Sequence, residues 1–203
     1  MSNFKQIPES TFNDLQMDAG VLLSKFDPTG TEPVVNADII CATTGGFNAT
    51  CQASYSDYGE DIDNCPTNMM ELKHLDTWDC RLSFTSLGVS PAQLHLALGA
   101  ADIDGDASDH ITLRSKLDAT KDFRDVWWVG NKGGGGMLAV HLRNALSSSG
   151  FSLQTTKNGK GQLSVELTGH VSLRDQTTMP MEFYSTEGDD TAANTALANE
   201  ING

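Results

Sequence analysis

The stretch 162-QLSVELTGHVSL-173 alternates apolar and polar side chains along its whole length. Leu163, Val165, Leu167, Gly169, Val171 and Leu173 hold one phase, and Gln162, Ser164, Glu166, Thr168, His170 and Ser172 hold the other. Successive side chains of a strand point to opposite faces, so this pattern predicts a long strand with one buried and one wet face. Just before it stands Lys157-Asn158-Gly159-Lys160. Asn-Gly favours the tight turn of a β-hairpin because its backbone needs positive φ. Phe151, Leu153 and Thr155 supply the opposing strand.

The same period recurs outward from this hairpin. Phe47, Ala49, Cys51, Ala53 and Tyr55 alternate with polar residues, predicting a strand with one buried face. Trp78, Cys80, Leu82 and Phe84 alternate likewise. Strands are also expected at Ala37–Ala42, around Ile111 and Leu113, at Val126-Trp127-Trp128-Val129 (apolar on both faces), at Leu138–Leu142 and at Met179–Tyr184. For Leu138, Leu142 and Leu146 a helical face competes, and the alternation favours a strand. One helix start is distinct: Ser90 can cap, Pro91 suits the first helical position, and Gln93 completes a capping box, with Val89 and Leu94 spaced as a staple. The helix should run to about Ala101. Eight to nine strands with one short helix predict a mainly β fold, a β-sandwich or barrel with the helix packed on it.

Around this single domain, 19–184, the sequence sets three segments apart. Residues 1–18 follow neither period and read as an extended arm. Residues 56–70 hold Asp57, Glu60, Asp61 and Asp63 with no basic residue, and read as a long exposed acidic loop. From Ser185 the chain has almost no large apolar side chain and reads as a tail. Gly130 to Gly136 reads as a flexible loop.

Thirteen basic and 27 acidic residues give a net charge of −14 over 203 residues. That excess argues against wrapping a nucleic acid or lying on an anionic membrane. No run reaches the ~18 apolar residues of a membrane span. The first residues lack the apolar segment of a secretory signal, so cytosolic synthesis is expected. The thiols Cys41, Cys51, Cys65 and Cys80 form no C-x-x-C pair, and reduced cysteines are expected, with Cys51 and Cys80 as small buried hydrophobes.

No constellation signposts catalysis. Asp102-Ile103-Asp104-Gly105-Asp106-Ala107-Ser108-Asp109 opens like a calcium loop, then places Ala107 where the turn glycine belongs and Leu113 at the twelfth position. It reads as a solvated acidic turn. The glycines 133–136 lack the Lys-Ser/Thr of a phosphate loop. The five histidines are scattered. Trp127-Trp128 beside Arg124 could stack a sugar or a base, although a Trp pair in a two-faced apolar strand suits a core. No cofactor and no metal are expected. A monomeric β-sandwich module binding calcium or carbohydrate is the alternative reading.

Several stretches together resemble the major tail protein of long-tailed bacteriophages, the subunit of the tail tube. They are Phe12 to Leu23, Ile39 to Ser54, Phe123-Arg124-Asp125-Val126-Trp127-Trp128-Val129-Gly130, and Gly159 to Tyr184. The resemblance implies hexameric rings stacked into a tube through which DNA passes during ejection, and no catalytic residues. The partners it implies are further copies of the chain and other tail proteins such as tape measure, terminator and distal tail proteins. Candidate subunit contacts are Phe4, Ile7, Phe12 and Leu15 of the arm and Asp57, Tyr58, Asp61, Ile62, Met69 and Met70 of the acidic loop. Asp79 and Glu166, acids on the polar phase of the two best strands, are candidates to face the lumen. There they would repel phosphates and keep the DNA from binding.

Overall fold

A computed structural model describes residues 11–30, 34–104 and 110–187. In chain order these form a helical turn α1 (Thr11–Asp14), β1 (Val21–Leu23), β2 (Ile39–Cys41), β3 (Thr43–Asp57), β4 (Lys73–Ser86), helix α2 (Pro91–Leu98), β5 (Ala101–Asp104), β6 (His110–Leu113), β7 (Arg124–Asn131), β8 (Met137–Ser147), β9 (Ser152–Gln154), β10 (Gln162–Thr168) and β11 (Met181–Ser185). All of their pairings are antiparallel. Nine strands join in the order β2-β1-β7-β8-β10-β4-β3, with β11 also on β8 and β9 also on β10. β5 and β6 form a separate hairpin.

The sheet turns over at β8. One edge of this strand pairs with β7, while the other pairs with β11 from Leu138 to Leu142 and then with β10 at Leu146 and Ser147. Between these partners lies a bulge at Arg143 and Asn144. Asn144 takes the left-handed conformation, φ 45°, and its N–H donates to Asp125 Oδ1 at 3.0 Å. Its amide also donates to His170 O at 3.0 Å. Bulges bend a strand and let it serve two sheets.

Side chains from both halves meet in one cluster, the sandwich arrangement expected. Leu22, Val126, Val140, Leu142 and Met181 come from one half, Cys80, Leu82, Phe84, Leu163, Val165 and Leu167 from the other, and Leu96 and Ala97 from α2. Leu23, Trp127 and Ala139 form a second cluster with Phe26, Val129 and Tyr184. The helix begins as read: Gln93 N donates to Ser90 Oγ and Ser90 N donates to Gln93 Oε1. Gln93 Nε2 also donates to Ile40 O at 3.2 Å, tying the cap to β2.

Several boundaries differ from expectation. The helix stops at Leu98, because Gly99 turns left-handed at φ 73°, and Ala101 already begins β5. β10 ends at Thr168 instead of Leu173: the Gly169 N–H makes a last in-register bond to Cys80 O at 2.9 Å, and the next residue, His170, turns away from β4, its N–H donating to Arg143 O of β8 at 3.3 Å. Val171 and Leu173 are exposed. The run 37–42 splits into a 3-10 turn, Asn36–Asp38, and the short β2. β3 starts earlier than read, at Thr43, because Gly45 and Gly46, both at positive φ, form a bulge inside it instead of ending it. The face of β3 expected to be buried is only partly covered.

Candidate functional site

β3 and β4 form the longest ribbon among the described residues, and only its root lies on the core. At the root Phe47 packs on Phe84 and Trp128 at centroid distances of 5.6 and 6.0 Å. Towards the tip every residue from Lys73 to Thr77 is exposed. A second bulge at Asp76 breaks the register between Ser54 and Tyr55. The apolar phase continues into this overhang with nothing beneath it, so Tyr55 is 61% and Leu75 is 43% exposed.

The tip is ordered, not slack. Asp57 is the last residue of β3, and its carboxylate accepts from Gly59 N at 2.9 Å and Asn68 N at 3.1 Å, with Lys73 Nζ at 3.3 Å. The Gly59 N–H above all, then the Asn68 N–H and Lys73, hold this carboxyl below the usual aspartate range. Tyr58 N donates to Leu72 O at 3.0 Å, and its ring stacks on His74 at 5.5 Å. Asn64 and Asn68 take positive φ, as a compact turn needs. The segment read as a loop is therefore a folded strand end, a turn and a 3-10 turn at Met70–Leu72. Within it Tyr58, Ile62, Met69 and Met70 are each exposed. Asp61 is also exposed.

The arm is half described. Phe4 and Ile7 lie outside the described residues. The expectation of an extended arm fails for Thr11–Asp14, which form the turn α1. The segment sits on the glycine run, which is a seat instead of a flexible loop. Gly133 N donates to Leu15 O at 2.8 Å, Gly134 N to Asn13 O at 3.2 Å, and Met17 N to Asn131 O at 3.0 Å. A Cβ on Gly133 would collide with the Phe12 carbonyl, and one on Gly134 would stand 2.8 Å from Asn13 Cβ. Only glycine allows this approach of two backbones. Phe12 and Leu15 point outward and are exposed. The sequence signal was present in the repeated glycine, but it reads equally as slack.

Asp79 and Glu166 are brought together by Arg81, which sequence reading missed. Arg81 Nη2 donates to Asp79 Oδ2 at 2.8 Å and Nη1 to Glu166 Oε1 at 3.1 Å. The guanidinium holds the Asp79 carboxyl below its usual range. Around them the outer face of β3, β4 and β10 carries Asn48, Thr50, Gln52, Ser83, Thr85 and Ser164. This is a wall of hydroxyls and amides with one ionic triplet on it.

The remaining polar clusters hold elements together. His95, buried on α2, meets Ala101 O through Nε2 at 2.8 Å and Arg124 Nη2 through Nδ1 at 2.8 Å. Burial, and then the Arg124 charge, push its pKa below the usual histidine value. Arg114 pairs with the buried Asp122 and reaches Asp102 at 3.0 Å. Asp102 and Asp104 of the calcium-like stretch are therefore strand residues in β5, while Asp106 and Asp109 lie outside the described residues. Trp127 is buried and stacked on His141 at 3.8 Å, and Trp128 Nε1 donates to Ala19 O at 3.0 Å, so the Trp pair serves the core. Among the described residues no group of three or more His, Cys, Asp or Glu side chains could hold a metal. No described helix is long and apolar enough to cross a membrane.

No family model of known proteins matches this sequence, and no similar curated protein is found.

Proposed function

We propose that this chain is the subunit of a self-assembling tube, of the kind built by major tail proteins of long-tailed phages, and acts as structural wall rather than catalyst. The observation that carries the reading is the β3–β4 ribbon. Its tip is held rigid by Asp57 yet exposes Tyr55, Tyr58, Ile62, Met70 and Leu75 beyond the core. An ordered apolar projection suits contact with another copy. Among the described residues β3, 15 residues long, pairs only with β4. A long unpaired edge is a template for a strand from another chain. The docked arm, with Phe12 and Leu15 outward, offers a further contact surface. The net charge of −14 and the hydroxyl-rich outer face suit a passage along which DNA slides without binding.

In this reading the partners are further copies of the chain and the other tail proteins, and the protein's place is the virion tail. Size-exclusion chromatography and negative-stain microscopy of the purified protein test it. Rings or tubes are the expected result. A sharp monomer at high concentration, with melting that depends on calcium, would overturn it in favour of a monomeric binding module.

A further inference from the structure

Cys51 on β3 and Cys80 on β4 are direct partners in the ribbon register, and their Sγ atoms lie 2.9 Å apart. All four cysteines are free thiols. Directly opposed residues of antiparallel strands have Cα atoms ~4.5–5.5 Å apart, within the ~4.4–6.8 Å that a disulfide spans. The two sulfurs already face each other, so closure needs little backbone movement. Cys41 is buried on β2 and Cys65 sits at the ribbon tip, bonded to Met69 Sδ at 3.5 Å. Neither has a thiol partner of this kind.

We propose that Cys51 and Cys80 are a reversible oxidation site, closed to a cross-strand disulfide by a low-molecular-weight disulfide of the glutathione type. Cys51 is half-buried and can be reached, whereas Cys80 is buried. Burial, and then the facing Cys51 thiol, push the Cys80 pKa up to about 12. The first attack therefore belongs to Cys51. Its thiolate attacks one sulfur of the small disulfide, the S–S bond breaks, and one small thiol leaves with the first proton. Cys80 then gives up its proton and attacks Cys51 Sγ, displacing the second small thiol. Two protein thiols become one disulfide, and one small disulfide becomes two thiols. The new bond closes the chain between residues 51 and 80 at the root of the overhang and fixes the register there. It does not depend on the assembly reading.

The test uses the full chain, incubated with oxidised or reduced glutathione, then unfolded and alkylated with iodoacetamide. After oxidation, two of the four thiols should escape alkylation. A peptide map should join the Cys51 and Cys80 peptides, and the melting temperature should rise because the unfolded chain is now cross-linked. Reductant should reverse all three. Cys65→Ser should behave as wild type, and Cys51→Ser should retain every remaining thiol. Alkylation of all four thiols after oxidation would overturn the proposal. So would a glutathione adduct that persists on Cys51, or a disulfide through Cys65. The wild-type map decides even if a variant fails to fold.

Discussion

The two ends of the β3–β4 ribbon carry the same alternation and meet different fates. At the root, Leu82 and Phe84 are buried under the opposite half of the sheet and α2. At the tip, Tyr55 and Leu75 stand in the open. The root is held by a core. The tip is held by polar local bonds centred on Asp57, which order a surface without covering it. Alternation tells which side chains share a face, and says nothing about whether a second layer lies beneath.

The largest effect should come from exchanging the fates of the two ends. Leu82→Ala at the root removes a side chain with no exposed surface. It should lower stability by about 2–5 kcal/mol, read from urea midpoints. Tyr55→Ala at the tip should stay within about 0.5 kcal/mol in the same assay. Assembly should show the reverse ranking. Deleting Asp57 to Asn64 should leave a folded monomer of near wild-type stability that forms no tubes. Normal tubes from this deletion would remove the tip from the assembly surface.

This contrast also shows how far the sequence could be read. The strands around Leu82, Leu163, Val126 and Val140 were legible because the apolar phase is buried at these residues. The ends were not. Gly169 continues the apolar phase and still bonds Cys80 O in register, yet the His170 N–H turns to Arg143 O of β8 and the strand stops. The bend at Asn144 depends on Asp125 and His170, far off in sequence. Tyr58, Asp61, Ile62, Met69 and Met70, read as part of an exposed segment, are exposed. The role of Asp57 was not legible, because two of its three partners are backbone N–H groups, of Gly59 and Asn68, that carry no sequence signal. Arg81 was missed for a related reason. Its link from Asp79 to Glu166 needs the β4–β10 pairing, and alternation alone does not supply it.

A smaller effect separates the helix seat from the rest of the core. His95 is held neutral by burial and by Arg124 beside it, so its folded pKa lies below the 6.5 of the unfolded chain. The native state then refuses a proton that the unfolded state accepts. Stability is present in full above 6.5 and falls as pH drops through the folded value. His95→Gln should flatten the dependence of the urea midpoint on pH in that window. Asp57, lowered from 3.8, contributes only in stronger acid and should leave the window unchanged. Metal should matter less still. Asp102 is committed to Arg114, so melting temperatures in EDTA and in calcium should coincide. A large calcium-dependent rise would require the ion to bind the folded state tightly.

The smallest effect on stability, and the sharpest on function, belongs to the outer face of the root. Asp79, Arg81 and Glu166 together carry one net negative charge, since two carboxylates share one guanidinium. All three are at least partly exposed, so solvent screens their attraction and the fold does not depend on it. The charge itself is the quantity under test. In a closed ring the triplet repeats once per subunit and makes a weak negative belt if this face lines the passage. Glu166→Lys turns each triplet from net negative to net positive, with Arg81 still paired to Asp79. DNA binding requires cations that displace its counterions, and wild-type protein should leave a duplex unretarded at low salt. Tubes of Glu166→Lys should assemble and melt as wild type, retain DNA at low salt, and release it as salt rises. If these tubes pass DNA as wild type does, the triplet lies on the outside of the tube, and the hydroxyl wall around it is not the lining.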